Sequence, residues 1–163
     1  MKGQTGGCMS MGYGVIHARS SKQKLNTKSS TETEIVGMSE YIPYNIWLSM
    51  FLKEQGYDLM DNVVFQDNQS AIRMEINGRN LCTGNSRHIH IRYFFVKDRI
   101  DKREMRVEYC PTEQMLADYF TKPLQGSRFK NYRDYIMGYK PISGLLSSAF
   151  SSMKERVEIM NQT

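Results

Sequence analysis

The sequence predicts an α/β fold, and three patterns carry that prediction. Val63-Val64-Phe65 is a short β-branched and aromatic run set between Asp61-Asn62 and Asp67-Asn68. Such a run reads as a strand covered on both faces, because a strand with one wet face would alternate polar with apolar residues. Ile35, Met38, Ile42 and Ile46 recur at spacings of three and four, the period of a helix with one buried stripe. Met105-Arg106-Val107-Glu108-Tyr109-Cys110 alternates like a half-buried strand. Strands interleaved with long helical patterns bury their apolar faces by layering helix on sheet.

At 163 residues the chain suits one domain, large enough to bury a real core, with an appended tail. A mean hydropathy of -0.55 with 24% charged residues describes an ordinary soluble globular chain. The net charge of +5 biases it toward anionic partners such as nucleic acid, although no run of five or six like charges marks a basic arm or an acidic tail. Cys8, Cys82 and Cys110 are odd in number and form no CxxC pair, so zinc and redox motifs are excluded and a reducing, intracellular setting (cytoplasmic or nuclear) is expected. No apolar stretch approaches the roughly 20 residues of a membrane span, and no basic-then-apolar segment opens the chain, so neither membrane insertion nor secretion is expected.

In chain order, Thr5-Gly6-Gly7 offers turn residues with no apolar strand ahead, as though the chain began in mid-fold. Residues 8–18 read as a first strand made irregular by Gly12 and Gly14, and 19–26 as an edge strand or hairpin return. Lys22 and Lys24 would guard that edge or, alternatively, contact phosphates. Ser29-Ser30-Thr31 caps a long helix that runs to Lys53, kinked or broken at Pro43 and ended by Gly56. Glu34 lies beside the apolar stripe of this helix, either favouring its positive end or pointing into a site. Asp67, at the carboxyl end of its strand, is either a ligand in the crevice beyond the strand ends or an Asx cap for the helix at 69–76.

Residues 77–85 read as a loop, after which Asn85-Ser86 caps a second helix over 87–103. Its buried stripe is Ile89, Tyr93, Val96 and Ile100, while His88, Arg92, Arg99 and Arg103 form a basic side that either tracks a phosphate backbone or is simply solvated. His88 and His90 are two apart and point in different directions, which excludes a helical metal pair. Pro111-Thr112 opens a helix carrying Met115-Leu116-Ala117-Asp118-Tyr119-Phe120, and an aspartate in so apolar a segment needs a partner or a metal. Lys122-Pro123 stops this helix, 129–137 forms another, and 143–160 is a tail segment of weak amphipathic character.

These motifs together resemble the ribonuclease H domain of copia-type LTR retrotransposon Pol polyproteins. The resemblance runs through Thr5-Gly6-Gly7, Lys22-Gln23-Lys24, Ser29-Ser30-Thr31-Glu32-Thr33-Glu34 and Asp67-Asn68-Gln69-Ser70-Ala71. It continues through Arg87-His88-Ile89, Glu108-Tyr109-Cys110-Pro111-Thr112, Met115-Leu116-Ala117-Asp118 and Thr121-Lys122-Pro123-Leu124, covering about residues 5–137. Residues 138–163 are then a C-terminal tail. The resemblance implies a mixed β-sheet flanked by helices, and cleavage of the RNA strand of RNA–DNA hybrids with two Mg²⁺ ions. It implies that Glu34, Asp67 and Asp118 are catalytic metal ligands meeting on one face.

The same resemblance implies that the family's first, central strand and its aspartate lie upstream of Met1, so that activity is impaired in this chain. It names an RNA–DNA hybrid and the upstream reverse transcriptase portion of the polyprotein as partners. The alternative is a non-catalytic remnant that binds nucleic acid or has no activity. His90 stands where the family carries an acid, which removes one ion pair from the expected pattern.

Overall fold

Strands β1 (Lys2–Met9) and β2 (His17–Asn26) form an antiparallel hairpin in which Gly7 faces Arg19 and Cys8 faces Ala18. They belong to a computed structural model that describes residues 2–57, 59, 61–77 and 87–146. The hairpin corrects the reading of 8–18 as the first strand: residues 10–16 are its connection, and Thr5-Gly6-Gly7 is strand rather than turn. Gly12 and Gly14 adopt φ of 116° and 63°, a left-handed backbone that turns the chain and that other residues resist. The connection is tied down by Val15 N donating to Ile136 O and Ile142 N donating to Gly12 O, each at 2.9 Å.

Helix α1 (Ser30–Glu54) follows, capped by Ser29 as its sequence predicts, and it continues through the exposed Pro43 without breaking in two. Ile35, Val36, Met38, Ser39 and Ile42 are its buried residues. Strand β3 (Val63–Gln66) then leads into helix α2 (Gln69–Asn77). Helix α3 (Arg87–Asp101) buries Tyr93 and Val96 completely and Ile100 in part, whereas the side chains of His88 and Ile89, and the cap at Asn85-Ser86, lie outside the described residues. The helix stops short of Arg103, which takes a left-handed φ of 56°.

Strand β4 (Arg106–Tyr109) pairs with β3 in parallel, Val64 beside Val107 and Phe65 beside Glu108. Asp118 lies in a single 3₁₀ turn, Leu116–Phe120, not in the α-helix expected there. Helices α4 (Gly126–Ile136) and α5 (Ile142–Leu145) complete the described chain. Ile142, Leu145 and Leu146 join Cys110, Met115, Leu116 and Tyr132 in one core cluster, so packing continues past Met137. A second cluster, Met38, Ile42, Val96 and Met105, locks α1 to α3 and the foot of β4.

Among the described residues the strands make two separate two-stranded sheets, β1 with β2 and β3 with β4. Between them lies a cavity of about 1000 Å³ that meets Gln4 through Met9 and Val63 through Asp67 without a gap. Successive strand residues point to opposite faces, so contact with every residue in turn means that the two strand edges border the cavity. Val63, Val64 and Phe65 are accordingly only half-buried, which corrects the expectation of a strand covered on both sides.

Alternation along β1 assigns its two faces. The buried Thr5 donates a hydrogen bond from Oγ1 to Glu40 Oε2 at 3.0 Å, and Gly7 lies under the ring of Tyr41, both on α1. Gly6 lies against Thr121 and Phe120 of the 3₁₀ segment, and Cys8 packs on the cluster around Cys110. Glycine weakens a strand but permits close approach, and here it admits a helix on one face and the acid-bearing turn on the other.

A β-carbon on Gly7 would sit 2.6 Å from Tyr41 Cδ2. Gly7→Ala should therefore cost about 1–3 kcal/mol in urea denaturation, as overpacking does. Combining it with Tyr41→Ala should cost less than the sum of the single changes, because the clash is removed; additive costs would show that the contact does not govern this strand.

Candidate functional site

Glu34, Asp67 and Asp118 come from a helix, a strand end and a 3₁₀ turn, and all three line the same cavity. Local capping chemistry explains why the first two are not spent on their helices. At α1, Glu32 completes the capping box: its backbone N–H donates to Ser29 Oγ at 3.1 Å, and its carboxylate accepts from Lys28 N at 2.6 Å. Glu34 is left facing the cavity. At α2, Asn68 Oδ1 accepts from Ala71 N at 3.1 Å, so Asn68 makes the Asx cap and Asp67 does not.

The Gln66 amide oxygen accepts from the backbone N–H groups of Asp67 and Asn68 at 3.0 and 3.2 Å, fixing the turn that carries Asp67. Thr112 Oγ1 donates to Asp67 Oδ2 at 3.3 Å from beyond β4. Asp118 is the most buried of the three, at 5% exposure. Lys122 Nζ lies 2.8 Å from its Oδ1, and Arg128 Nη2 lies 3.1 Å from its Oδ2. Arg128 is itself held, donating to Thr112 O at 2.7 Å and stacking over Tyr132.

Burial pushes the Glu34 carboxyl above its ordinary range, and the negative charges of Asp67 and Asp118 add to the rise, while Lys122 and a side-chain hydrogen bond with Gln66 oppose it. The three acids thus sense one another electrostatically. Cys110 borders the same cavity, but burial, helped by Asp67 and Asp118, pushes its thiol up to about 12, so it is no thiolate nucleophile at neutral pH.

The basic side of α3 is largely committed within the molecule. Arg92 donates to Ser39 Oγ at 2.9 Å and lies 3.6 Å from Glu40. Arg99 pairs with Asp98 at 2.7 Å and Glu104 at 3.0 Å and stacks over Phe95. Arg103 is exposed just beyond the helix. Of the expected phosphate-contacting residues with described side chains, then, Arg92 and Arg99 are half-buried and paired, and Arg103 is exposed.

A hard divalent ion such as Mg²⁺ takes oxygen ligands and favours clustered carboxylates. Glu34 and Asp67 suit it, being oxygen donors whose mutual repulsion a cation would relieve. Asp118 does not suit it as it stands, because Lys122 and Arg128 already neutralise it. Among the described residues no three His, Cys, Asp or Glu side chains are grouped to hold one ion. Sequence reasoning missed Arg128 and Thr112 and read Lys122 only as a helix stop, although the Asp118/Lys122 spacing of four was visible.

Because the Glu34 carboxyl is raised, its ionised form weakens the fold, and the stability associated with its proton is lost as pH rises through its folded-state value. Glu34→Gln should therefore raise Tm by a few degrees at neutral pH, and the gain should vanish as pH falls through the ordinary carboxylate range. A lower Tm at neutral pH would contradict this account of the site.

No protein-family model matches the chain, and no solved structure matches it. Curated proteins do. The chain is 30% identical over 135 residues, 83% of its length, to a retrovirus-related Pol polyprotein from transposon TNT 1-94 of Nicotiana tabacum. It is 31% identical over 127 residues to the Pol polyprotein from transposon RE1 of Arabidopsis thaliana, and 29% identical over 129 residues to the Ty1-JR1 Gag-Pol polyprotein of Saccharomyces cerevisiae. These matches take in 77% and 79% of the chain. It spans only 10%, 8% and 7% of the three relatives' lengths. The chain is thus a homologue of one segment of the retrotransposon Pol polyproteins of the copia and Ty1 type.

Proposed function

We propose that this chain is a ribonuclease H-type segment of a retrotransposon Pol polyprotein, directed at the RNA strand of RNA–DNA hybrids. The observation that carries the reading is the delivery of Glu34, Asp67 and Asp118 from three separate elements to one cavity. Hydrolysis of a phosphodiester needs charge relief on the attacking and leaving oxygens, which a bound Mg²⁺ pair about 4 Å apart supplies. Glu34 and Asp67 would hold the cation. Gln66 and Thr112 keep Asp67 in place, and Arg103 offers an exposed charge for the hybrid's phosphates. The 2′-hydroxyls of the RNA strand are what distinguish it from DNA.

We also propose that the cavity between β1 and β3 receives a strand from polyprotein sequence outside these 163 residues. Two strand edges with apolar side chains above and below it support this reading, since an extended segment of five or six residues, about 17–20 Å long, would pair on both sides. The mixed sheet would then be continuous, and a carboxylate brought by that strand could compensate for the engagement of Asp118. A second reading, a non-catalytic segment that binds nucleic acid, is favoured by one observation: Asp118 is neutralised by Lys122 and Arg128.

The test is cleavage of a labelled RNA–DNA hybrid in Mg²⁺ by this chain and by one extended upstream with the corresponding polyprotein segment. The chain alone should be inactive or slow, the extended one at least about 100-fold faster, and Asp67→Asn should abolish the gain. Equal, Asp67-dependent rates from both would show that no outside strand is needed. No cleavage by either, with hybrid binding retained, would establish the non-catalytic reading.

A further inference from the structure

Helix α1 buries no residue after Ile42, yet it continues to Glu54, about three further turns. Those turns carry apolar residues on nearly every side. Leu48 and Leu52 line the cavity, Ile46 packs on the cluster of Met38 and Ile42, and Tyr44, Trp47, Met50 and Phe51 face solvent, Trp47 at 64% exposure. A stretch of helix that is apolar around most of its circumference is ordinarily buried around most of it.

Spacing shows where the cover stops. Thr33, Gly37, Glu40, Tyr44, Trp47 and Phe51 recur every three or four residues and so form one stripe along α1. The β1–β2 hairpin covers the first part of it: Gly3 lies against Thr33, Thr5 donates to Glu40, and His17 stacks on Tyr44 with ring centroids 4.9 Å apart. His17 is also where the hairpin pairing ends, so Trp47 and Phe51, stacked on each other at 5.6 Å, run past it into solvent. Arg19 completes the patch. Its guanidinium lies over the Tyr44 ring and donates to Tyr44 Oη at 2.8 Å, and no carboxylate pairs with it among the described residues.

We propose that this face of α1 is a docking surface for another part of the same Pol polyprotein, one that lies outside these 163 residues and brings an apolar surface with an acidic group opposite Arg19. The composition of the patch points to a protein partner, because Trp, Tyr, Phe, Met and Arg are the residues that protein interfaces concentrate. A single-stranded nucleic acid would need a row of cations beside the rings. Strand β2 supplies only Arg19 there, since Lys22 and Lys24 alternate to the opposite face of the hairpin. The polyprotein has ample chain to provide the cover: the segment spans 10%, 8% and 7% of the three Pol relatives, leaving most of each outside the match. The inference rests on membership of a polyprotein and does not require that the segment cleave RNA.

The test is hydroxyl-radical footprinting of this chain alone and of the polyprotein that contains it, with mass spectrometry reading each side chain. Trp47, Met50 and Phe51 should label strongly in the chain alone and at least about fivefold less in the polyprotein, as side chains shut off from water do. Met137 and Tyr139, exposed elsewhere on the chain, should label alike in both. Trp47→Ala combined with Phe51→Ala should leave the Tm of the chain alone within about two degrees, because exposed side chains contribute little to stability, and should restore Met50 labelling in the polyprotein. Equal labelling of Trp47 in both proteins, or protection shared by Met137 and Tyr139, would overturn the inference. Protection in the chain alone that grows with its concentration would overturn it in favour of a second copy, and protection on adding polyuridylate would do so in favour of nucleic acid. Selective protection in a polyprotein that cuts no hybrid would refute the ribonuclease reading and leave this one standing, and cleavage with Trp47 unprotected would do the reverse.

Discussion

Close approach at Gly6 and Gly7 is the constraint on which the arrangement depends. Side chains at these two positions would separate β1 from Tyr41 of α1 on one face and from Thr121 and Phe120 on the other. Without that double contact the 3₁₀ turn would stand off from the strand, and Asp118 would be displaced from the cavity it shares with Glu34. The glycines therefore set the depth of the site as well as the packing of the hairpin. Backbone entropy opposes this use of glycine in a strand, and the buried Thr5 beside them and its hydrogen bond to Glu40 tie the strand to α1.

Charge is arranged at the site by division of labour between neighbours. Glu32 and Asn68 take the capping roles that would otherwise engage Glu34 and Asp67, leaving these two acids to face a cavity and repel each other. Asp118 is treated in the opposite way, with two cations placed on a nearly inaccessible carboxylate. The site is consequently asymmetric. One half is a pair of acids that repel each other, relieved in part by the charge of Lys122 and by Gln66, and the other is a closed ion cluster.

The same accounting changes the view of α3. Its arginines fall on one side by helical period, yet Arg92 reaches Ser39 and Glu40 on α1, and Arg99 reaches Glu104 beyond the helix end. These pairs brace α3 against its surroundings and draw positive charge away from solvent. Partly exposed pairs of this kind contribute little to stability individually, so their effect lies more in orientation than in binding energy.

The start of α1, the positions of β3 and β4 and the burial of Tyr93 and Val96 on α3 were legible in the sequence because each is written in near-neighbour spacing: Ser29 before Glu32, Ile35 to Ile42, Tyr93 to Val96. The acids could likewise be singled out, Asp118 by its apolar neighbours and Asp67 by its place after an apolar run. The glycine strand was misread as a turn, since what makes it a strand is the ring of Tyr41 and the side chain of Thr121, far along the chain. Tertiary structure alone decided which charges remain available. Arg128 meets Asp118 across a separation of 10 residues, Thr112 meets Asp67 across 45 and Arg92 meets Ser39 across 53. Contacts at such separations have no period, and only packing of the intervening elements brings the partners within hydrogen-bond reach.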